Sequence, residues 1–245
     1  MSGDVVVVTG AGGAIGSAVA VRLARCGASL LLNDRRDDAL QSTLSSLPPG
    51  CAEAVVADVT TREGASTVVD AAVQRFGSLS VLVNVAGGLK GTPVRAFMDI
   101  DDDQFDFAMR VNARSTFQCM QAALRVMIPA RTGRIVNFAS TSWSGTPEHA
   151  DYGAAKAAVV ALTRSVATQV GVHGINVNAV APGLTVTPLI EAQGLEAFGD
   201  ASAVPLGRFN HPADIAEAVA FLCSPGARNI SGQLLTIAGG WNPSL

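Results

Sequence analysis

The chain has 245 residues, 49% of them hydrophobic and 15% charged, with a net charge of −3 and a mean hydropathy of +0.35. That balance excludes a disordered chain and suits a sheet buried on both faces, and the length is enough for a large core. The 17 basic residues are scattered or mixed with acids, as in DRRDD at 34–38, so no basic stripe offers itself to nucleic acid or an acidic membrane, and neither partner is expected.

The start of the chain shows no basic n-region, and its apolar run from Val5 to Val8 is too short for a signal peptide or a membrane span. A cytoplasmic location is the expectation. Cys26, Cys51, Cys119 and Cys223 lie far apart without a CxxC, and read as small buried hydrophobes in a reducing compartment rather than a disulfide framework. His149, His173 and His211 are too few and too separated for a metal motif, so no zinc is expected.

In chain order, DVVVV at 4–8 is a β-branched run that ends in TGAGGAIG at 9–16, followed by a helical pattern with Ile15, Val19, Leu23 and Cys26 on one face. Strand, glycine loop and helix are what a pyrophosphate site requires. Gly10, Gly12, Gly13 and Gly16 let the backbone turn tightly and approach a ligand, while helix-start amides face it. No Lys-Ser or Lys-Thr follows the loop, which argues against a nucleotidase loop. Gly27 closes the helix, and ASLLLN at 28–33 is a second strand delivering Asp34, 18 residues after Gly16. An acid at that distance is placed to accept hydrogen bonds from adenosine ribose hydroxyls.

Pro48, Pro49 and Gly50 break the next helix. AEAVVAD at 52–58 then brings Asp58 to a strand end, and a helix runs to Phe76 and the turn at Gly77. LSVLV at 79–83 runs into NVAGG at 84–88. Strands alternating with helices imply βαβ crossovers, a parallel sheet and a ligand beyond the carboxyl ends of the strands, where Asp34, Asp58 and Asn84 converge. The segment 103–128 reads as one long helix with Phe105, Met109, Thr116, Cys119, Ala123 and Met127 inward; Asn112 interrupts that face, either as a satisfied buried amide or as part of a site. RIVNFAS at 134–140 is the fifth strand, ending at Ser140. No histidine or carboxylate motif marks Ser140 as a nucleophile, so its active role would be to hold a substrate oxygen.

Within DYGAAKAAVVALTRSV at 151–166, Tyr152 and Lys156 stand at i and i+4 on one helix face. An ammonium near a phenol favours the phenolate, moving a tyrosine from about 10 toward neutral pH. The pair is a candidate general acid/base, and Tyr152 is the only tyrosine in the chain. INVNAV at 175–180 is the sixth strand, ended by APG at 181–183. Residues 184–206, rich in glycine and proline, read as a mobile lid. A helix over 211–223 begins at Asn210, and QLLTIA at 233–238 is the seventh strand. Seven strands without a linker make one domain.

Taken together, these motifs resemble the short-chain dehydrogenase/reductase family from Val5 to Gly240. TGAGGAIG is similar to its TGxxxGxG, NVAG to its NNAG, Asp58 to its adenine-contacting acid, and Asn112, Ser140, Tyr152 and Lys156 to its catalytic set. NAVAPG at 178–183, Thr187 and PLGRF at 205–209 resemble later landmarks. The resemblance implies an α/β fold, a single doubly wound Rossmann-type domain with a seven-stranded parallel sheet. It also implies a nicotinamide dinucleotide, hydride transfer and a homotetramer packed through helices at 103–128 and 152–170. The implied coenzyme site comprises Gly10, Gly12, Gly13, Ala14, Ile15, Gly16, Asp34, Arg35, Asp58, Val59, Asn84, Ala86, Gly87, Tyr152, Lys156, Pro182, Gly183, Thr185 and Thr187. Lys156 would also hold the nicotinamide ribose, and Asn112 would support a water connecting Lys156 to solvent.

Four positions depart from the family pattern: Ala14 for its second motif glycine, Val85 for an asparagine, Thr185 at a usually aliphatic position, and Ala238 for an aspartate. Asp34 opposes a 2′-phosphate while Arg35 and Arg36 would attract one; the carboxylate decides for NAD. Leu89, Phe97, Trp143, His149, Leu184, Leu189 and Phe198 border an apolar substrate pocket, favouring a secondary alcohol or ketone of modest size, with sugars and steroids also open. The runner-up is a 3-oxoacyl thioester reductase using NADPH, for which Arg131 and Arg134 would meet an acidic carrier. A methyltransferase on a similar sheet would share the glycine loop but has no use for Ser140, Tyr152 and Lys156, and a dinucleotide-sensing regulator would be free to lose them.

Overall fold

In a computed structural model of the protein, which describes residues 1–89, 91–194 and 199–241, seven parallel strands form one sheet in the order β3-β2-β1-β4-β5-β6-β7. The strands are β1 (Val5–Thr9), β2 (Ser29–Asp34), β3 (Ala52–Val56), β4 (Val81–Asn84), β5 (Gly133–Phe138), β6 (Ile175–Pro182) and β7 (Leu234–Ile237). The helices are α1 (Ala14–Arg25), α2 (Asp37–Ser45), α3 (Arg62–Phe76), α4 (Asp102–Ala108), α5 (Ser115–Ala130), α6 (Ala150–Val170), α7 (Pro188–Gln193) and α8 (Pro212–Leu222).

The apolar runs seen in the sequence are a direct consequence of burial on both faces. Val6, Val8, Leu30, Leu32, Val81 and Val83 join the core shared with α1 and α8. The alternate residues Val5, Val7, Leu31 and Leu82 join the core shared with α3 and α5. With a side-chain period of two, a strand clad on both sides has no polar face to show. Strand order reverses beside β1, whose neighbours are β2 and β4. There the connecting helices leave to opposite faces and a crevice opens beyond the strand ends.

The predicted helix over 103–128 is interrupted. Between α4 and α5 the chain makes a π-helical turn, Met109–Arg114, which slips the inward stripe by one residue. Phe105 is therefore 44% exposed, and Gln104 and Ala108 take the inner face instead. Helix α8 also starts differently from expectation. His211, not Asn210, is its N-cap, completing a capping box with Asp214. Asn210 is drawn away because its side chain donates to the Ile237 carbonyl on β7 at 2.6 Å. Of the cysteines, Cys119 and Cys223 are buried as expected, while Cys26 and Cys51 are only partly covered, and all four are free.

Candidate active site

The loop after β1 is shaped by close contacts at three of its glycines. Gly10 has a φ of +65°, and a Cβ there would meet Ala86 backbone at 2.8 Å. At Gly12 a Cβ would lie 2.5 Å from the Ala39 Cβ, and at Gly16 it would lie 2.2 Å from the Gly10 carbonyl oxygen. Gly13 is the N-cap of α1 and meets no such obstacle. Ala14 and Ile15 follow as the first two residues of α1, whose N-terminus carries no side-chain cap, so its first amides face the crevice. Ile15 itself packs against the core. The loop is held at its other side by Thr43, whose hydroxyl donates to the Ala11 carbonyl at 2.9 Å.

Asp34 closes β2 directly over this loop. Its Oδ2 accepts the Gly12 N–H at 3.2 Å and its Oδ1 accepts the Arg36 N–H at 3.2 Å. Asp58 stands two residues beyond the end of β3 and accepts the Thr60 N–H at 2.9 Å. That hydrogen bond holds its carboxyl below the usual range against the effect of burial, helped by the nearby guanidinium groups of Arg35 and Arg110. Val59 is buried in the core, so only its backbone is available to a ligand.

After β4, the Ala86 N–H donates to the Thr9 hydroxyl at 3.3 Å. Asn84 points into the sheet rather than the crevice: its Nδ2 donates to Asn137 Oδ1 at 2.9 Å, and Asn137 in turn donates to the Thr163 hydroxyl at 2.9 Å. The Asn84 Oδ1 is buried without a partner. Asn137 and Thr163 were not among the predicted site residues; the signal was a polar residue inside the apolar strand RIVNFAS.

Asn112 is a satisfied buried amide that holds the loop after β4. Its Oδ1 accepts the Gly88 N–H at 2.7 Å, and its Nδ2 donates to the carbonyls of Gly88 at 3.2 Å and Ala108 at 3.0 Å. The π turn is what presents it to that loop. A Cβ on Gly87 would lie 2.6 Å from Asn112 Oδ1 and 3.4 Å from Lys156 Nζ, so position 87 must be bare.

Lys156 is 3% exposed. Its Nζ donates to the Phe138 carbonyl at 2.7 Å and lies 5.6 Å from the centre of the Tyr152 ring, which meets the requirement that a buried ammonium be hydrogen-bonded. Ser140, two residues past β5, accepts the Ser142 N–H at 3.2 Å and donates to the Ser142 hydroxyl at 3.3 Å. It also lies close enough to Tyr152 to act on its phenol. The predicted four, Asn112, Ser140, Tyr152 and Lys156, therefore converge on one place.

One expectation is corrected. Burial pushes the Tyr152 phenol up from its ordinary value, and the Ser140 hydrogen bond works against that rise without cancelling it. The i,i+4 lysine alone does not bring the phenol down. In the free protein the phenolate absorbance of this sole tyrosine should therefore titrate with a midpoint above about 10; a midpoint at or below that value would contradict the burial seen here.

On the far side, Pro182 ends β6 and the Gly183 N–H donates to the Ile237 carbonyl at 2.8 Å. A Cβ at Gly183 would press on Ala238 at 2.9 Å. Thr185 is buried, with its hydroxyl donating to the Gly183 carbonyl at 3.0 Å. Thr187 caps α7 by accepting the Ile190 N–H at 3.4 Å. Of the expected pocket residues, Phe97 is 82% and Leu189 66% exposed, Leu89 sits near the site loop, and Phe198 lies outside the described residues.

The residues fit a nicotinamide dinucleotide: a glycine-rich loop at a helix start, an acid over its second glycine, and a buried ammonium beside a bare Gly87. Comparison with known proteins agrees. A sequence model described as Enoyl-(Acyl carrier protein) reductase matches residues 10–242. Among curated relatives, the short-chain reductase protein NovJ of Streptomyces niveus is 33% identical, covering 97% of this chain and 93% of its own.

The chain belongs to the short-chain dehydrogenase/reductase family. Within that family, the 3-oxoacyl-[acyl-carrier-protein] reductase FabG of Thermotoga maritima is 34% identical over 98% of both chains. A solved structure of NAD+-bound xylitol dehydrogenase superposes with a TM-score of 0.90 at 32% identity, covering 98% of this chain and 99% of that one. The protein is thus an oxidoreductase of the short-chain dehydrogenase/reductase family, whose members bind nicotinamide coenzymes. Among the described residues no helix is long and apolar enough to cross a membrane, and no group of three or more His, Cys, Asp or Glu is placed to hold a metal.

Proposed function

We propose that this short-chain dehydrogenase/reductase oxidises a secondary alcohol of modest size, or reduces the matching ketone, with NAD as coenzyme and Tyr152 as general acid/base. The observation that carries the reading is the meeting of Ser140, Tyr152 and Lys156, which join separate elements at the open ends of the strands. When bound, the nicotinamide takes up or supplies the hydride. The Tyr152 oxygen takes the proton from the substrate hydroxyl, and returns it in the reverse direction. Ser140 holds the substrate oxygen by a hydrogen bond, and the Lys156 ammonium stabilises negative charge on the phenol oxygen in that state. Asn112 keeps the Gly87–Gly88 turn in place beside Lys156. A panel of alcohols and ketones assayed with both coenzymes tests the reading; absence of turnover across it would leave a dinucleotide sensor.

The choice of NAD rests on Asp34. With one oxygen on the Gly12 N–H and the other on the Arg36 N–H, its carboxylate is proposed to meet the adenosine ribose beside the loop. A 2′-phosphate there would set two negative charges together, a repulsion of roughly 4 kcal/mol at about 4 Å and an effective dielectric near 20, so even a screened fraction gives a tenfold preference. Asp34→Ser should raise activity with NADP and lower it with NAD; faster turnover of the parent with NADP at equal low concentrations refutes the assignment.

A second reading, a 3-oxoacyl thioester reductase using NADPH, draws support from the family description and from relatives such as the Thermotoga maritima reductase. Against Arg131 and Arg134 as a carrier site, Arg134 is engaged by Asp4 at 3.1 Å and by the Cys223 carbonyl at 2.8 Å, and Arg131 by the Val172 carbonyl at 2.9 Å. Residues 184–206, of which 195–198 lie outside the described residues, are proposed to close over substrate, with α7 as a short helix before 195–198. Coenzyme with a substrate analogue should slow limited proteolysis there, and equal cutting with and without them would remove the lid. A cytoplasmic homotetramer completes the proposal, and a groove on α5 lined by Gln121, Leu124, Arg125, Ile128 and Pro129 is a place where copies would meet.

A further inference from the structure

Asp151 immediately precedes Tyr152 and is 1% exposed. An acid in the first turn of a helix ordinarily serves that helix end, yet no side chain caps α6. Instead, Asp151 Oδ2 accepts a hydrogen bond from Gln104 Nε2 on α4 at 3.1 Å. Gln104 is itself buried, 9% exposed, and its Nε2 also donates to the Pro93 carbonyl at 3.4 Å. One amide thus ties three segments: α4, the first turn of α6, and the stretch after β4 that leads away from Gly87 and Gly88.

Stability does not explain the pair. Asp151 Oδ1 and Gln104 Oε1 are both buried without a partner among the described residues, and buried acceptors left unpaired cost more than apolar side chains of the same size. A polar contact that is expensive for folding but fixes one geometry suits a site where small displacements matter. The neighbouring residue on α6 is the one whose oxygen must meet the substrate.

Resting on the reading of Tyr152 as acid/base, we infer that Gln104 and Asp151 are positioning residues: a buried amide–carboxylate brace that sets the first turn of α6, and with it the Tyr152 hydroxyl, against the substrate-side segment at Pro93. The brace touches neither substrate nor coenzyme and acts through Tyr152. It also complements Asn112, two turns further along the same run of helix, which holds the same segment at Gly88.

The test separates geometry from stability. Gln104→Leu strands the Asp151 carboxylate and should lower both Tm and kcat. The double variant Gln104→Leu/Asp151→Leu removes the unpaired acceptors and should regain the Tm of the parent or exceed it. Its kcat, on the best substrate of the alcohol and ketone panel, should remain about tenfold or more below the parent, because displacements well under 1 Å are felt at the reacting atoms. Its coenzyme Kd should stay within about twofold of the parent. Asp151→Asn keeps an acceptor for Gln104 and adds a donor for its Oε1, so it should retain most of the parent's kcat.

A double variant that recovers kcat together with Tm shows a merely structural pair and overturns the inference. So does one whose Tm and coenzyme affinity fall in step with kcat. If neither leucine variant folds, Asp151→Asn decides: a loss of tenfold or more in kcat at unchanged Tm overturns the brace, and retained kcat upholds it. Tyr152→Phe separates the levels. If it turns over normally, the reading of the site fails; if it is dead while the double variant is fast, only the brace fails.

Discussion

Tyr152→Phe is expected to lose turnover by at least ~10²–10⁴-fold while binding coenzyme as the parent does. The substitution removes one oxygen from a half-buried ring that lies 5.6 Å from Lys156 Nζ, so it disturbs neither the core nor the glycine loop. The oxygen removed belongs to the only phenol in the chain, on which Ser140 acts against the effect of burial. Steady-state kinetics with a coenzyme-binding titration measure both halves; near-normal kcat in the variant would sink the mechanism.

Gly16→Ala is expected to be the most damaging single methyl in the chain's coenzyme loop. Its Cβ would lie 2.2 Å from the Gly10 carbonyl oxygen and 2.9 Å from the Ala11 Cα. Both obstacles are backbone, so relief requires the loop to move away from α1. Overpacking of this kind costs about 1–3 kcal/mol, and a displacement approaching 1 Å in a loop that positions the coenzyme should lower kcat/KM by about a hundredfold. Gly13→Ala is the control. Its Cβ would meet the Gly10 oxygen at 3.5 Å, an ordinary contact, so its Tm should match the parent. Equal Tm values for the two alanine variants would show that the loop at Gly16 has slack that its geometry denies.

The sheet was legible in the sequence because strands clad on both faces must be apolar throughout, and all seven appear near their predicted places. The convergence of candidate residues was legible because Asp34 closes a strand and Tyr152 and Lys156 share a helix turn, whereas Asn84 also closes a strand but turns its side chain into the sheet. Other features depend on partners far along the chain. The π turn at Met109–Arg114 has no residue signature, and extrapolating a regular helix backward from Cys119 put Phe105 inside and overlooked Gln104. Asn210 has the residue type of an N-cap, but the Ile237 carbonyl claims it. The Tyr152 phenol moves up rather than down because burial, which a sequence spacing does not display, outweighs the hydrogen bond from Ser140.

The bare Cα of Gly87 sits between Asn112 and Lys156, from three stretches separated along the chain. The geometry of catalysis is therefore a property of the assembled sheet and not of any local motif. In parallel pairing, no strand reaches its neighbour by a hairpin, so each of these approaches waits for a crossover to close. A partly folded chain can have its glycine loop formed and α6 wound and still lack the place where Asn112, Gly87 and Lys156 meet. Competence for chemistry thus arrives with the last of the three segments to dock, which makes activity a stricter measure of complete folding than helix content.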